Sequence, residues 1–163
     1  MRAPQYSTGL IDRPLTGGEL AVCIGIIGKG AAVDLESARR ELPRATAVAI
    51  TRLDGRIVGV GAIKRQRPAY AMSISKRADY AFPTHTLELG YVAVDPPHRG
   101  QGLSHALVAA LLAGRPDSLF ATTSSAQMKN SLSKGGFAYQ GREWDGDNSR
   151  LSLWLRPPRS PSR

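Results

Sequence analysis

At 163 residues and 42% hydrophobic content, the chain has the length of one domain and enough apolar side chains for a sizeable core, which excludes global disorder. No apolar run approaches the ~18 residues that cross a bilayer, the opening MRAPQYSTGLIDRP lacks the apolar segment of a signal peptide, and the single cysteine, Cys23, excludes an internal disulfide framework and a cysteine-cluster zinc site. The net charge is +9 with arginine far commoner than lysine, but no dense basic run interleaves with aromatics, so a polyanionic cofactor together with a genomic bias toward arginine ranks above nucleic acid, and charge alone does not decide it.

The elements follow from capping, turn and periodicity signals. Tyr6–Ile11 reads as a strand ended by Asp12-Arg13-Pro14. Thr16 or Gly17 caps a helix over Glu19–Ile27, with Gly28 and Gly30 expected to stop it. Asp34 caps a second helix, Leu35–Leu42, which Pro43 ends. Ala45–Arg52 and Arg56–Lys64 form a hairpin around Leu53-Asp54-Gly55, since Asp-Gly tolerates the positive φ of tight turns. Pro68–Ala78 is a short helix, and Thr84–Val94 is the central strand. Gly102–Ala113 is a helix, Ser118–Thr123 a strand, and Ser125–Lys134 a helix closed by Gly135-Gly136. Phe137–Trp144 and Arg150–Leu155 pair around Asp145-Gly146-Asp147-Asn148. This order predicts one mixed α/β domain over 1–156, a largely antiparallel sheet flanked by helices, followed by a disordered basic tail, 157–163.

The most informative stretch is LELGYVAVDPPHRGQGLSHALVAALL, where an apolar strand passes through Arg99-Gly100-Gln101-Gly102 into an apolar helix. First-turn N–H groups lack helical partners, the helix dipole adds positive charge, and glycine admits close backbone approach, so such a turn suits phosphate. Neither a Walker loop nor a dinucleotide fingerprint is present. Strand, Asp-Pro, Arg-Gly-x-Gly-Leu-Ser and helix resemble the acyl-coenzyme A site of the Gcn5-related N-acetyltransferases (GNAT). The resemblance extends to Lys134-Gly135-Gly136-Phe137, which is similar to the family's closing "K-x-G-F". It implies the acyl-CoA N-acyltransferase fold, with acetyl-CoA as cosubstrate and no metal.

The resemblance also implies residue roles. Backbone groups of Val92, Ala93 and Val94 would pair with pantetheine, one of them facing the thioester carbonyl as an oxyanion donor. The N–H groups of Arg99, Gly100, Gln101, Gly102, Leu103 and Ser104 would hold the pyrophosphate, with Asn130 a further cofactor contact. Glu88 matches a glutamate that serves some family members as general base. Period-two alternation puts it on the face of Gly90, Val92 and Val94 unless a bulge intervenes. Its other reading is a salt-bridge partner for one of the arginines. The family's tyrosine acid is replaced by Leu132, and the asparagine seven residues earlier by Ser125; Ser125, Asn130 and Tyr139 are the candidate substitutes.

Cys23 reads as a buried structural thiol. His98 and His105 flank the phosphate turn, His85 begins the strand, and no histidine has metal-ligand spacing. Lys64, Arg65 and Arg67 either meet an acidic acceptor or are solvated; Trp144 and Trp154 serve the core or a homodimer face. The reading is an N-acetyltransferase acting by direct attack of a small-molecule or peptide amine in a ternary complex. A cytoplasmic location is expected, with no membrane or nucleic-acid partner. The alternatives are a non-catalytic CoA-binding sensor and an RNA-associated acetyltransferase.

Overall fold

The computed structural model describes residues 5–30, 34–146 and 149–159. In chain order the elements are β1 (Tyr6–Leu10), α1 (Gly17–Gly30), α2 (Leu35–Glu41), β2 (Ala47–Leu53), β3 (Arg56–Lys64), α3 (Pro68–Ala78), β4 (Leu87–Val94), α4 (Leu103–Leu112), β5 (Leu119–Thr123), α5 (Ala126–Lys134), β6 (Ala138–Asp145) and β7 (Arg150–Arg156). The seven strands form one mixed sheet in the order β1-β2-β3-β4-β5-β7-β6. β4 and β5 are parallel, whereas β1–β2, β2–β3, β5–β7 and β6–β7 are antiparallel. This is the α/β architecture expected from the element order. Two compact units share the chain: Met1–Ile63 with Tyr91–Ala113, and Lys64–Gly90 with Gly114–Arg163. β4 contributes its last four residues to the first and its first four to the second.

In the first unit, α1 starts with a reciprocal capping box. Thr16 Oγ1 accepts from Glu19 N (3.1 Å), and Glu19 Oε1 accepts from Thr16 N (2.9 Å). The helix continues through Gly28 rather than stopping there. A Cβ on Gly28 would lie 3.2 Å from Leu35 Cδ1, so this glycine serves the close approach of α2. Asp34 caps α2 as expected, accepting from Glu36 N and Ser37 N. Cys23, Ile24 and Ile27 pack with Ala38, Leu42, Val60 and Ala62. Alternate residues of β3 meet α4: a Cβ on Gly59 or Gly61 would sit 3.2 or 3.1 Å from Leu107 Cδ1 or Leu111 Cδ1. The β2–β3 turn has Asp54 at φ +50° and Gly55 at +82°, the two positive angles its sequence predicts.

In the second unit, Ile74 and Ala78 from α3 pack with Phe120, Trp144 and Leu153, and the Phe82 ring lies tilted against Phe120 with centroids 4.8 Å apart. The β6–β7 ladder shifts register between Gln140 and Trp144. Gly141 lies in that shift at φ +70°, where a Cβ would collide with the Ala78 carbonyl oxygen. Half of the expected hairpin tip, Asp147 and Asn148, and residues 160–163 of the expected tail lie outside the described residues. Arg159 N donates to Pro116 O at 2.7 Å. Among the described residues, no helix is long and apolar enough to cross a membrane.

Candidate active site

The turn after β4 is fixed from three directions within the first unit. Asp95 N donates to Val58 O of β3 (2.8 Å), Lys29 Nζ at the end of α1 pairs with Asp95 Oδ1 (3.1 Å), and Tyr6 Oη of β1 lies 3.0 Å from His98 Nδ1. Pro96–His98 forms a single 3-10 turn, closed by the Arg99 N bond to Pro96 O. His98 is therefore tied to β1, while His105 and His85 are exposed.

Gly100 (φ +82°) and Gly102 (φ +74°) then reverse the chain into α4, a conformation that side-chain-bearing residues rarely adopt. Gly102 occupies the cap position and has no side chain to cap with. The first in-helix bond runs from Ala106 N to Gly102 O (3.1 Å), so Leu103, Ser104 and His105 N–H precede any i−4 acceptor in the helix. Leu103 is buried and anchors the turn, while Gly100, Gln101 and Gly102 are exposed. A Cβ on either glycine would meet nothing within 4 Å. The result is an open cradle of main-chain donors at the positive end of a helix, a match for a diphosphate in charge and donor type.

The Arg99 side chain is exposed beside the turn. Its Nε donates to Val94 O (3.2 Å), and its Nη2 lies 3.0 Å from where a Cβ of Gly30 would be, at the C-terminal end of α1. That helix end carries partial negative charge, which suits the neighbouring guanidinium, and the side chain as a whole remains exposed. Along β4, Tyr91 has φ +55° within the strand. The alternation counted from Glu88 therefore does not carry through to Val92 and Val94, as the bulge proviso anticipated. Ala93 and Tyr91 pack against the α1–α2 cluster, and Val92 Cγ2 lies 3.3 Å from the Cβ position of Gly61, on the side of Leu111.

Glu88, in the second unit, is only 4% exposed. Lys64 Nζ lies 3.1 Å from its Oε1, Gln66 Nε2 donates to Oε1 at 2.7 Å, and Tyr70 Oη donates to Oε2 at 3.4 Å. Its ion-pair partner is thus a lysine from β3 rather than an arginine. Gly90 makes this seat possible, because a Cβ there would be 3.1 Å from Lys64 Cε. The sequence signal that pointed to Lys64 was the Lys-Arg-x-Arg run; no signal linked it, Gln66 or Tyr70 to Glu88, because the end of β3, the segment after it and α3 reach Glu88 only in the folded chain.

Of the remaining candidates, Asn130 is exposed on α5 in the second unit. Leu132 is fully buried and serves the core. Ser125 caps α5, its Oγ accepting from Met128 N at 3.2 Å. Tyr139 is exposed on β6, edge-on to Trp154, whose Nε1 donates to Ser152 Oγ. Trp144 is buried in the second core. Cys23 is a free, buried thiol, pushed up to about 11 by burial. Among the described residues, no group of three or more His, Cys, Asp or Glu side chains is arranged to hold a metal.

The sequence model of the Acetyltransferase (GNAT) family matches residues 29–124. No curated protein matches the chain at a significant level. Many solved structures share the fold. A GNAT-family acetyltransferase from Streptococcus agalactiae is 15% identical, with a TM-score of 0.68 over 94% of this chain and 96% of its own. The Salmonella typhimurium protein yncA, solved with its cofactor acetyl-CoA, is 14% identical, with a TM-score of 0.67 over 99% and 98%. The ribosomal-protein-S18-alanine N-acetyltransferase from Escherichia coli is 14% identical, with a TM-score of 0.65 over 98% and 97%.

Proposed function

The chain belongs to the Acetyltransferase (GNAT) family, and on that premise we propose that it transfers acetyl from acetyl-CoA to a primary amine within a ternary complex. The observation that carries the reading is the open main-chain cradle of Gly100–Ser104 at the start of α4. When bound, acetyl-CoA supplies an activated thioester carbonyl. The residues proposed to hold it are Arg99, Gly100, Gln101, Gly102, Leu103 and Ser104 at the diphosphate and the main chain of Val92, Ala93 and Val94 along pantetheine, one N–H aimed at the carbonyl oxygen. Asn130 is a proposed further contact.

Glu88 is the proposed proton acceptor. Its carboxylate is oriented by Gln66 and balanced by the Lys64 ammonium, both on Oε1. Oε2, whose bond from Tyr70 Oη is long at 3.4 Å, is the carboxylate oxygen proposed to take the proton of the acceptor amine, directly or through water. The Escherichia coli neighbour is a protein-alanine N-acetyltransferase, which supports a peptide amine as one acceptor class beside small amines. A location in the cytoplasm fits the reading.

Thermal unfolding with and without acetyl-CoA tests the cradle. The expected result is a cofactor-dependent rise in Tm that Gly100→Glu removes, by adding a side chain and a negative charge where phosphate binds. No rise at millimolar acetyl-CoA overturns the reading. The burial of Leu132 at the family's tyrosine position favours one second reading, a CoA-binding sensor without turnover. Free-thiol release across a panel of amines separates the two, and turnover that survives Glu88→Gln removes Glu88 from the proton step.

A further inference from the structure

Lys64 stands against the proposed proton acceptor in surroundings unlike those of the other lysines. Its side chain is 12% exposed, against 58% for Lys29 and 34% for Lys129, while Lys76 and Lys134 are exposed. Its Nζ, at the end of β3, lies 3.1 Å from Glu88 Oε1. Gly90 of β4 makes the seat, since a Cβ there would stand 3.1 Å from Lys64 Cε and 3.4 Å from Nζ. All three residues belong to the second unit.

The choice of cation is informative in a chain where arginine far outnumbers lysine. To balance a buried carboxylate and nothing more, a guanidinium would bring more donors and keep its charge at any ordinary pH. An ammonium can give up a proton and become a nucleophile, which a guanidinium cannot. A primary amine in contact with a carboxylate able to take its proton is what acetyl transfer asks of an acceptor and its base. The main chain proposed to align the thioester begins at Val92, two residues beyond Gly90 on β4.

The geometry points to Lys64 as a modification site, at which the chain acetylates its own Nζ with Glu88 as the base. This inference rests on the proposed acetyl transfer. Glu88 Oε1 takes one proton from the Lys64 ammonium across the existing contact. The neutral Nζ then attacks the acetyl carbonyl, and its new C–N bond replaces the thioester C–S bond. Of the two protons that Nζ loses, one ends on the departing coenzyme A thiolate and the other in solvent, leaving an amide N–H. The product is neutral, so a modified chain no longer balances the Glu88 carboxylate.

Incubation of the full chain with acetyl-CoA and no added amine, followed by intact mass and peptide mapping, tests this. One acetyl group should appear on Lys64 ahead of Lys29, Lys76, Lys129 and Lys134, the reverse of the order that exposure gives. Its rate should not depend on protein concentration. Acetic anhydride, applied to the chain without acetyl-CoA, should follow exposure and reach Lys64 last. Glu88→Gln should slow the Lys64 reaction about a hundredfold, and Gly100→Glu should reduce it to no more than the rate of the exposed lysines. Should Glu88→Gln fail to fold, Gly100→Glu carries the test, since it alters neither Lys64 nor Glu88. An acetyl-CoA-dependent Tm rise with Lys64 unmodified, or modified no faster than the exposed lysines, overturns this inference and leaves the cradle standing. Acetic anhydride that takes Lys64 first also overturns it, because the selectivity then belongs to the amine rather than to the site. No Tm rise overturns both this inference and the proposed function.

Discussion

The two compact units bury different kinds of side chain. Among the described residues, the first unit buries one polar side chain, Thr51, and its interior is otherwise aliphatic around Cys23. The second buries Thr86, Glu88, Thr123, Ser131, Ser152 and Arg156. In the first, polarity is supplied by main chain exposed at glycines; in the second, by charged side chains withdrawn from water. A backbone site tolerates wide variation in side chains but not in conformation. A buried ionic site has the opposite sensitivity, because removal of one partner leaves the other uncompensated.

The contrast is broken most severely at Lys64. Lys64→Met strands the Glu88 carboxylate and should lower stability by about 3 kcal/mol, measured by urea unfolding. The acetyl-CoA-dependent rise in Tm should survive, since the cradle draws on no side chain of this group. Gly102→Val is the converse. A branched side chain at φ +74° should cost about 2 kcal/mol, and the cofactor-dependent Tm rise should vanish with it. If Lys64→Met abolishes the rise, or Gly102→Val spares it, the division between the units is wrong.

Two smaller effects sharpen it. Glu19 accepts from Arg13, from Thr16 N and from Arg52, which hold its carboxyl well below the usual carboxylate range. Its folded-state pKa is depressed, so the stability it adds is present above its unfolded value, about 4.3, and is lost as pH falls below that. Glu19→Gln should flatten the loss of Tm between about pH 4 and pH 2, followed by circular dichroism. Cys23 should produce the smallest signal. With its thiol pushed up to about 11 by burial, it should react with an aromatic disulfide reagent at pH 8 no faster than the chain unfolds.

The same division explains what was legible in the sequence. Capping residues, the Asp-Gly turn and the Arg-Gly-x-Gly turn act within a few positions of themselves, so the element order and the cradle could be read directly. Gly28 misled because its purpose is the approach of Leu35 rather than helix termination. Arg99 was legible as part of the turn, but its side-chain bond to Val94 O has no local signal. The partners of Glu88 are Lys64, Gln66 and Tyr70, more than fifteen positions earlier, and periodicity carries no information about which distant side chains meet in the fold. Tyr91 at φ +55° lay beyond any propensity argument, since no glycine marks it.

One of the two edge strands of the sheet, β6, carries the Gly141 kink. A strand at a sheet's margin offers a row of unused N–H and C=O groups to any passing chain, and a long flat row invites stacking into fibres. The kink divides that row into two short, differently aimed pieces, and the contact with α3 holds the division in place. The glycine thereby makes this margin a poor template for edge-to-edge polymerisation.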